Sequence, residues 1–468
     1  MQVFGALVVV ALVVLVGALS GTKIRKADEF TVAGRRLGAA GVSGVIIGAL
    51  VGGAATVGTA QAAYVYGLGG WWFTLAAGLA CLVVGIGFAR TYRKANLETL
   101  PQYLMRSYGK PMRPIIAVLD SLGMFLSVPT QIVSTIALLA VLAHWAVFPS
   151  TVVAIVLVFL YTLGGAYSAG KAGAFKILVF VVAELALAVV ALKLSGGYSG
   201  LAAKLPTRPF LQLTGNGAGK DIANAIAVII GLLASQYSVT AVVSARNYRL
   251  SVAGAVISAL VVSIFGSGGV LAGMYMRANY PNIKPVTAMP MFIKVTMPPF
   301  LSGMLLGALL VVVISCAAGL VLGCSILFAR DIYQTYFRAD ASDREVLVFS
   351  RIVVVVLATL AAWLGLSRAN LLLVQWNFLS LGLRGATSLV PLLAAVAFPR
   401  FVKPLSGVVA AVCGPTVTIL WFIFFRHAFD PVYAGVIAAA IAFLLVQIFA
   451  PARQVVMPAA LDVSGQSI

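Results

Sequence analysis

The chain has 468 residues, of which 62% are apolar and 9% charged, and its formal net charge is +20. No soluble domain of this size is so poor in charge. The positive balance does not point to nucleic acid, because Lys and Arg fall in short loops between apolar runs, where they orient helices in a bilayer.

A bilayer core about 30 Å thick takes about 20 apolar residues per helix. Helices are the default way across it, since each satisfies its own backbone groups, and the period-two alternation of an outer-membrane barrel is absent. The hydropathy pattern predicts about thirteen spans, at 2–20, 38–66, 70–90, 113–145, 149–168, 173–194, 221–240, 252–276, 298–328, 346–366, 371–398, 404–426 and 431–449. No basic residue precedes the first run and no cleavage site follows it, so it reads as a helix rather than a signal peptide. Placing the amino terminus outside gathers Lys23, Arg25, Lys26, Arg35 and Arg36, then Arg90, Arg93, Lys94, Arg106, Lys110 and Arg113, on the cytoplasmic side. The odd number of spans then puts the carboxyl terminus inside. The tail after residue 450 is too short for an appended signalling domain, which argues against a ligand sensor.

The second span carries Gly44, Gly48, Gly52 and Thr56 at steps of four, and the ninth carries Ser315, Gly319 and Gly323. Small residues in such rows let helices approach closely and ease a mid-membrane break. Packing or an ion and substrate site equally explain them. Cys81, Cys316, Cys324 and Cys413 lie inside apolar runs with neither metal spacing nor a disulfide framework. His144 and His427 fall at predicted helix ends, and no nucleophile motif accompanies them, so an enzyme is not expected.

Ionisable residues in mid-membrane are expensive and usually functional. Asp120 lies on the fourth span, Glu184 on the sixth and Arg384 on the eleventh. Either Arg384 pairs with Asp120 or Glu184 as a structural ion pair, or its guanidinium receives a substrate carboxylate by bidentate hydrogen bonding.

Several motifs resemble the sodium/solute symporter family. Phe30-Thr31-Val32-Ala33-Gly34-Arg35-Arg36-Leu37-Gly38 is similar to its entry into the second helix, and Ala63-Tyr64-Val65-Tyr66-Gly67 to the exit. Thr99-Leu100-Pro101-Gln102-Tyr103-Leu104 with Tyr108-Gly109, then Tyr161 with Gly164-Gly165, then Ser235-Gln236-Tyr237, then Arg330-Asp331-Ile332-Tyr333 follow in the family's order, over roughly residues 25–410.

The resemblance implies an all-α polytopic membrane protein with a LeuT-type core. Spans 2–6 (25–200) and 7–11 (201–400) would form two inverted five-helix repeats, with a peripheral first helix (1–24) and two peripheral helices and a tail (401–468). Spans 2 and 7 would be broken at mid-membrane, exposing backbone groups to ligand. The implied activity is secondary active import of a small organic solute, an organic anion or amino acid, across the cytoplasmic membrane, coupled to sodium. A proton-coupled symporter and an uncoupled facilitator are the alternatives.

The resemblance further implies a sodium site between spans 2 and 9, with backbone ligands Gly48, Val51 and Val312 and side chains Ser315 and Cys316. A thiol at Cys316 departs from the hydroxyl that a hard cation prefers. A Thr-Asp pair common in the family is replaced here by Ala172 and Gly173, and Lys176 stands nearby. Lys176 would supply positive charge beside a weakened sodium site, carry a proton, or extend to the cytoplasmic water. The substrate-lining candidates are Thr56, Gln61, Ser235, Gln236, Tyr237, Gln375, Asn377 and Arg384; Lys176, Glu184 and Asp120 are the coupling candidates. No organic cofactor is expected, and the partners are the solute, sodium or a proton, and the lipid bilayer.

Overall fold

Helices carry nearly all of the structure, a computed structural model that describes residues 1–9, 35–95, 99–162, 181–367, 372–425 and 429–450. In chain order, α1 (Ala39–Leu50) is followed after a short break by a π-helical turn at Ala54–Gly58 and by α2 (Thr59–Tyr66). Gly67, at φ +63°, turns the chain through a 3-10 segment into α3 (Trp72–Val83) and α4 (Ala89–Ala95). A side chain there would overlap the backbone of Phe210, so glycine is required twice over.

Then come α5 (Leu100–Tyr108), α6 (Met112–Phe125), α7 (Val128–Ala143) and α8 (Val147–Thr162). Next are α9 (Val181–Ser195), α10 (Gly197–Lys204), α11 (Ala218–Leu233), α12 (Gln236–Val243) and α13 (Tyr248–Asn279). The chain continues through α14 (Ala288–Thr296), α15 (Pro299–Ile326, extended by a π-helical stretch to Phe337), α16 (Asp343–Ser367), α17 (Leu373–Ala397), α18 (Pro404–Phe424) and α19 (Pro431–Phe449).

Among the described residues, eight helices are long and apolar enough to cross a membrane, and two further pairs bent at a short break bring this to ten. The bent pairs are α9 with α10, at 64°, and α11 with α12, at 48°.

Burial differs sharply between spans. The best-buried window belongs to α15 and its extension, whereas α18 and α19 keep most of theirs at the surface. A fully apolar helix inside a polytopic bundle faces other helices; one that is apolar and exposed faces lipid. Small residues set the closest packing. A side chain at Gly231 of α11 would overlap the backbone of Leu381 on α17, and one at Gly273 of α13 would overlap that of Ala60 on α2. Both broken helices therefore sit in contact with long, continuous ones.

The start of α1 and the end of α12 are also tied together. Leu37 N–H donates to Ser244 O at 2.9 Å, and Arg246 N–H to Leu37 O at 2.9 Å. The ends of the second and seventh predicted spans, distant in sequence, are thus neighbours.

Candidate functional site

The site begins with two interrupted helices, whose breaks release backbone groups that the surrounding scaffold must satisfy. In the first, Val51 takes an extended conformation (φ −87°, ψ 103°) and ends α1. An unbroken helix would bond Gly53 N–H to Ala49 O. Instead Gly53 N–H donates to Gln131 Oε1 of α7 at 2.6 Å, and Ala49 O accepts from the Cys316 thiol of α15 at 2.9 Å. One lost backbone bond is replaced at both ends by side chains from different helices. The fit is tight, since a side chain at Gly52 would overlap both Cys316 and Gln131.

In the second, Ala234 and Ser235 separate α11 from α12, and Ser235 is extended (φ −85°, ψ 134°). The Leu233 carbonyl at the end of α11 accepts from the Tyr92 hydroxyl at 3.1 Å. Gln236, the first residue of α12, accepts from Leu100 N–H through Oε1 at 3.1 Å and donates to Thr240 Oγ1 at 3.1 Å.

Arg384 of α17 joins this second break. It is the largest of the fully buried side chains, at 1% exposure. Its Nη1 donates to Ser235 Oγ at 2.6 Å, Nη2 to Ser380 Oγ at 2.9 Å and Nε to Ser380 O at 3.2 Å. Its guanidinium carbon lies 5.8 Å from the centre of the Tyr237 ring. Ser380 Oγ donates in turn to Gly123 O of α6 at 2.6 Å, and Ser127 Oγ to Ser380 Oγ at 2.6 Å. Asp120, on the same face of α6, is wholly buried, and neither carboxylate oxygen has a hydrogen-bond partner.

A small cavity lies between the two interrupted helices. It is lined by Gly48 and Ala49 from α1, Tyr161 from α8, Tyr237 and Thr240 from α12, and Ser315 from α15 among others.

Of the sodium-ligand candidates, Gly48 and Ser315 face this cavity, and Cys316 touches the break itself. Ser315 Oγ donates to Val312 O at 2.9 Å, and Val51 closes α1. Helices α1 and α15 are therefore brought together as expected, although the carbonyl that Cys316 meets is that of Ala49, not of Gly48 or Val51.

The substrate candidates divide. Ser235, Gln236, Tyr237 and Arg384 converge at the second break. Thr56 and Gln61 are tied elsewhere: Thr56 Oγ1 donates to Gly52 O at 2.9 Å, and Gln61 Oε1 caps Leu373 N–H at the start of α17 at 2.9 Å. Asn377 Nδ2 donates to Thr130 Oγ1 at 3.0 Å, and Gln375 lies on the exposed face of α17.

Neither alternative partner of Arg384 comes within ion-pairing reach. Glu184 packs against Gly268 of α13. Phe30–Gly34, Gly164, Gly165, Ala172, Gly173, Lys176 and His427 lie outside the described residues.

Sequence reasoning did not single out Gln131, Ser127 or Ser380. The available signal was the polar row Ser127, Thr130, Gln131, Ser134 and Thr135 beside Pro129, in an otherwise apolar span.

This arrangement of two broken helices braced by continuous ones is matched by known proteins. The family described as Sodium:solute symporter family matches residues 30–408. The chain belongs to this family. Its members are transporters rather than enzymes, and sodium is the ion in the family's name.

The sodium/pantothenate symporter of Escherichia coli (strain K12) is 25% identical over 426 residues, covering 86% of this chain and 87% of that protein. The human high affinity choline transporter 1 is 24% identical over 367 residues, covering 74% of this chain and 63% of that protein. The chain therefore spans less than two thirds of the choline transporter's length. A substrate-bound, outward-open Na+-coupled sialic acid symporter superposes with a TM-score of 0.80 at 17% identity, covering 97% and 98% of the two chains. Mhp1, a nucleobase-cation-symport-1 family transporter, superposes at 0.59 with 13% identity, covering 90% and 93%. These likenesses give the chain the LeuT-like fold of its neighbours.

Proposed function

We propose that the protein imports a small organic anion or amino acid across the cytoplasmic membrane, by alternating access coupled to sodium. The reading includes thirteen spans, an outside amino terminus and an inside carboxyl terminus, with 25–200 and 201–400 as inverted repeats. Arg384 carries it. A guanidinium buried in mid-membrane is costly, and this one is held at the broken α11–α12 helix by serine oxygens instead of a carboxylate. Its planar donor set suits a substrate carboxylate. Ser235, Gln236 and Tyr237 surround that position. Sodium occupies the α1–α15 junction, with Gly48, Val51, Val312, Ser315 and Cys316 around it.

The experiment is uptake into proteoliposomes of labelled lactate, pantothenate, proline, choline and glucose, with and without a sodium gradient. The reading expects at least one of the three carboxylates to accumulate with sodium, and choline and glucose to stay out. Arg384→Gln should abolish that uptake while the protein remains folded in the membrane. Uptake of choline or glucose alone, or normal uptake by Arg384→Gln, would overturn the assignment.

A second reading, a sodium-independent symporter driven by protons or an uncoupled facilitator, is favoured by one contact. The Cys316 thiol already satisfies the Ala49 carbonyl that the break releases, and sulfur is a poor partner for sodium. Uptake with sodium replaced by choline across a pH series separates the two, and strict sodium dependence at every pH removes the second.

A further inference from the structure

The corner where α3, α4, α12 and α13 meet takes no part in the site described above, yet exposed cations gather there. Helices α3 and α4 are joined by a π-helical turn at Val84–Phe88 and pack antiparallel to α13. A side chain at Gly78 would overlap Ser263 and the backbone of Ala259, and one at Gly85 would overlap Ala255. Contacts that climb the first helix from 78 to 85 thus descend the second from 263 to 255. The same register carries Arg90 to the level of Arg249.

In an antiparallel pair, the position after each contact residue falls about 100° round its helix, on the same side of the pair for both. Those positions are Leu79 and Ile86 on one helix and Leu260 and Ile264 on the other. All four are exposed, Ile86 at 66% and Leu260 at 62%, so two apolar stripes run side by side. At one end the stripes give way to charge. Arg90 and Lys94 continue from Ile86 at steps of four, and Arg249 stands in the first turn of α13, with Arg246 just before it. All four cations are exposed, as is Tyr248 between the last two.

The fold fastens this corner. Arg93 Nη1 donates to Ala245 O at 2.5 Å and Nη2 to Arg246 O at 3.4 Å, so α4 caps the chain as it leaves α12. Ser251 Oγ of α13 donates to Val242 O of α12 at 2.9 Å. Among the described residues, Arg90, Lys94, Arg246 and Arg249 have no carboxylate partner; the pairs Arg113–Asp331 and Arg338–Glu345 lie elsewhere. Like charges held together repel one another, and an anion placed among them relieves this. A small free anion would answer the cations alone, whereas a lipid answers both the cations and the apolar stripes that lead to them.

We propose that this corner binds an anionic phospholipid, with its phosphate among Arg90, Lys94, Arg246 and Arg249. Its acyl chains lie along the Leu79–Ile86 and Leu260–Ile264 stripes. Tyr248 sits at headgroup level, where exposed aromatic rings are favoured. Through Arg93 the bound lipid braces the end of α12, the shorter half of the second broken helix. The site is independent of what the protein transports.

The probes are phosphatidylglycerol, phosphatidylcholine and glycerol phosphate, each titrated into the protein purified in a neutral detergent, with the melting temperature read at every concentration. Binding to the folded state raises its apparent stability by mass action. Phosphatidylglycerol should stabilise and saturate; the other two, at the same concentrations, should not. The half-saturating concentration of phosphatidylglycerol should rise roughly thirtyfold in Arg90→Gln/Arg249→Gln, about fivefold for each cation lost. It should stay near the wild-type value in Arg90→Lys/Arg249→Lys. Arg344→Gln/Arg351→Gln removes the same charge from other exposed positions, on α16, and should leave it unchanged.

No rise in Arg90→Gln/Arg249→Gln, or an equal rise in the α16 pair, would overturn the site. Equal stabilisation by glycerol phosphate would overturn the lipid as occupant, and equal stabilisation by phosphatidylcholine would overturn recognition of its charge. If the double variant does not fold, Arg90→Gln and Arg249→Gln are titrated singly, and the absence of a fivefold rise in both rejects the site.

Discussion

At the residue scale, the first helix break turns on a substitution of one bond by two. Gln131 takes the freed Gly53 N–H and Cys316 the freed Ala49 carbonyl. Gln131→Ala leaves a buried N–H unpaired, which costs about 1–3 kcal/mol; a lower melting temperature of the purified variant checks this. Cys316→Ser replaces sulfur by a hard oxygen at the α1–α15 junction. If sodium binds there, its half-saturating concentration in uptake should fall severalfold, as oxygen ligands suit it better. Gly123→Ala should behave like a mutation of Arg384 itself. Its methyl group occupies the path of the Arg384 side chain, so uptake should be lost even though the alanine is itself inert.

At the element scale, α5 is a short amphipathic helix packed against α6, α17 and α18. Thr99 caps it by accepting from Gln102 N–H at 3.3 Å, and also donates to Asp331 Oδ1 at 3.2 Å. Arg113 Nε donates to the same oxygen at 2.7 Å, and Nη2 to Arg330 O at 3.0 Å. One residue on, Leu100 N–H reaches Gln236 beside the second break. Two motifs far apart in sequence, Thr99-Leu100-Pro101 and Arg330-Asp331-Ile332-Tyr333, are thus parts of one junction. Asp331→Ala removes one partner of a pair in which the carboxylate is wholly buried. It should destabilise the fold by about 3–5 kcal/mol, and thermal unfolding beside Asp331→Asn, which keeps a hydrogen-bonding oxygen, measures how much of that is charge. The motifs were legible in the sequence, but their meeting was not, because residues 99, 113 and 331 are joined by contacts that no local periodicity records.

At the scale of the whole molecule, the proposed orientation rests on the charge pattern: an outside amino terminus would place Arg90, Arg93, Lys94, Arg106 and Arg113 at the cytoplasmic face, and an odd number of spans would put the carboxyl terminus on the same side. A carboxyl-terminal epitope tag should resist protease in right-side-out vesicles and be cleaved in inverted ones; the reverse pattern rejects the orientation.

Hydropathy and charge by themselves determined that the chain crosses a membrane many times as helices, because every backbone group in lipid must find its partner within its own segment. Motif order identified the family, and with that resemblance came the expectation that the second and seventh spans break, while the glycine row by itself left packing and a site equally open. Only the tertiary structure decided which side chains stand at the breaks. Arg384 read equally well as the partner of Asp120, of Glu184 or of a ligand, and packing turned it to Ser235 and Ser380. Cys316 read as a defective sodium ligand, and packing gave its thiol the Ala49 carbonyl. The physical reason is the same in both cases: the cost of a buried polar group depends on its nearest neighbours in space, and in a bundle of long helices those neighbours come from other spans.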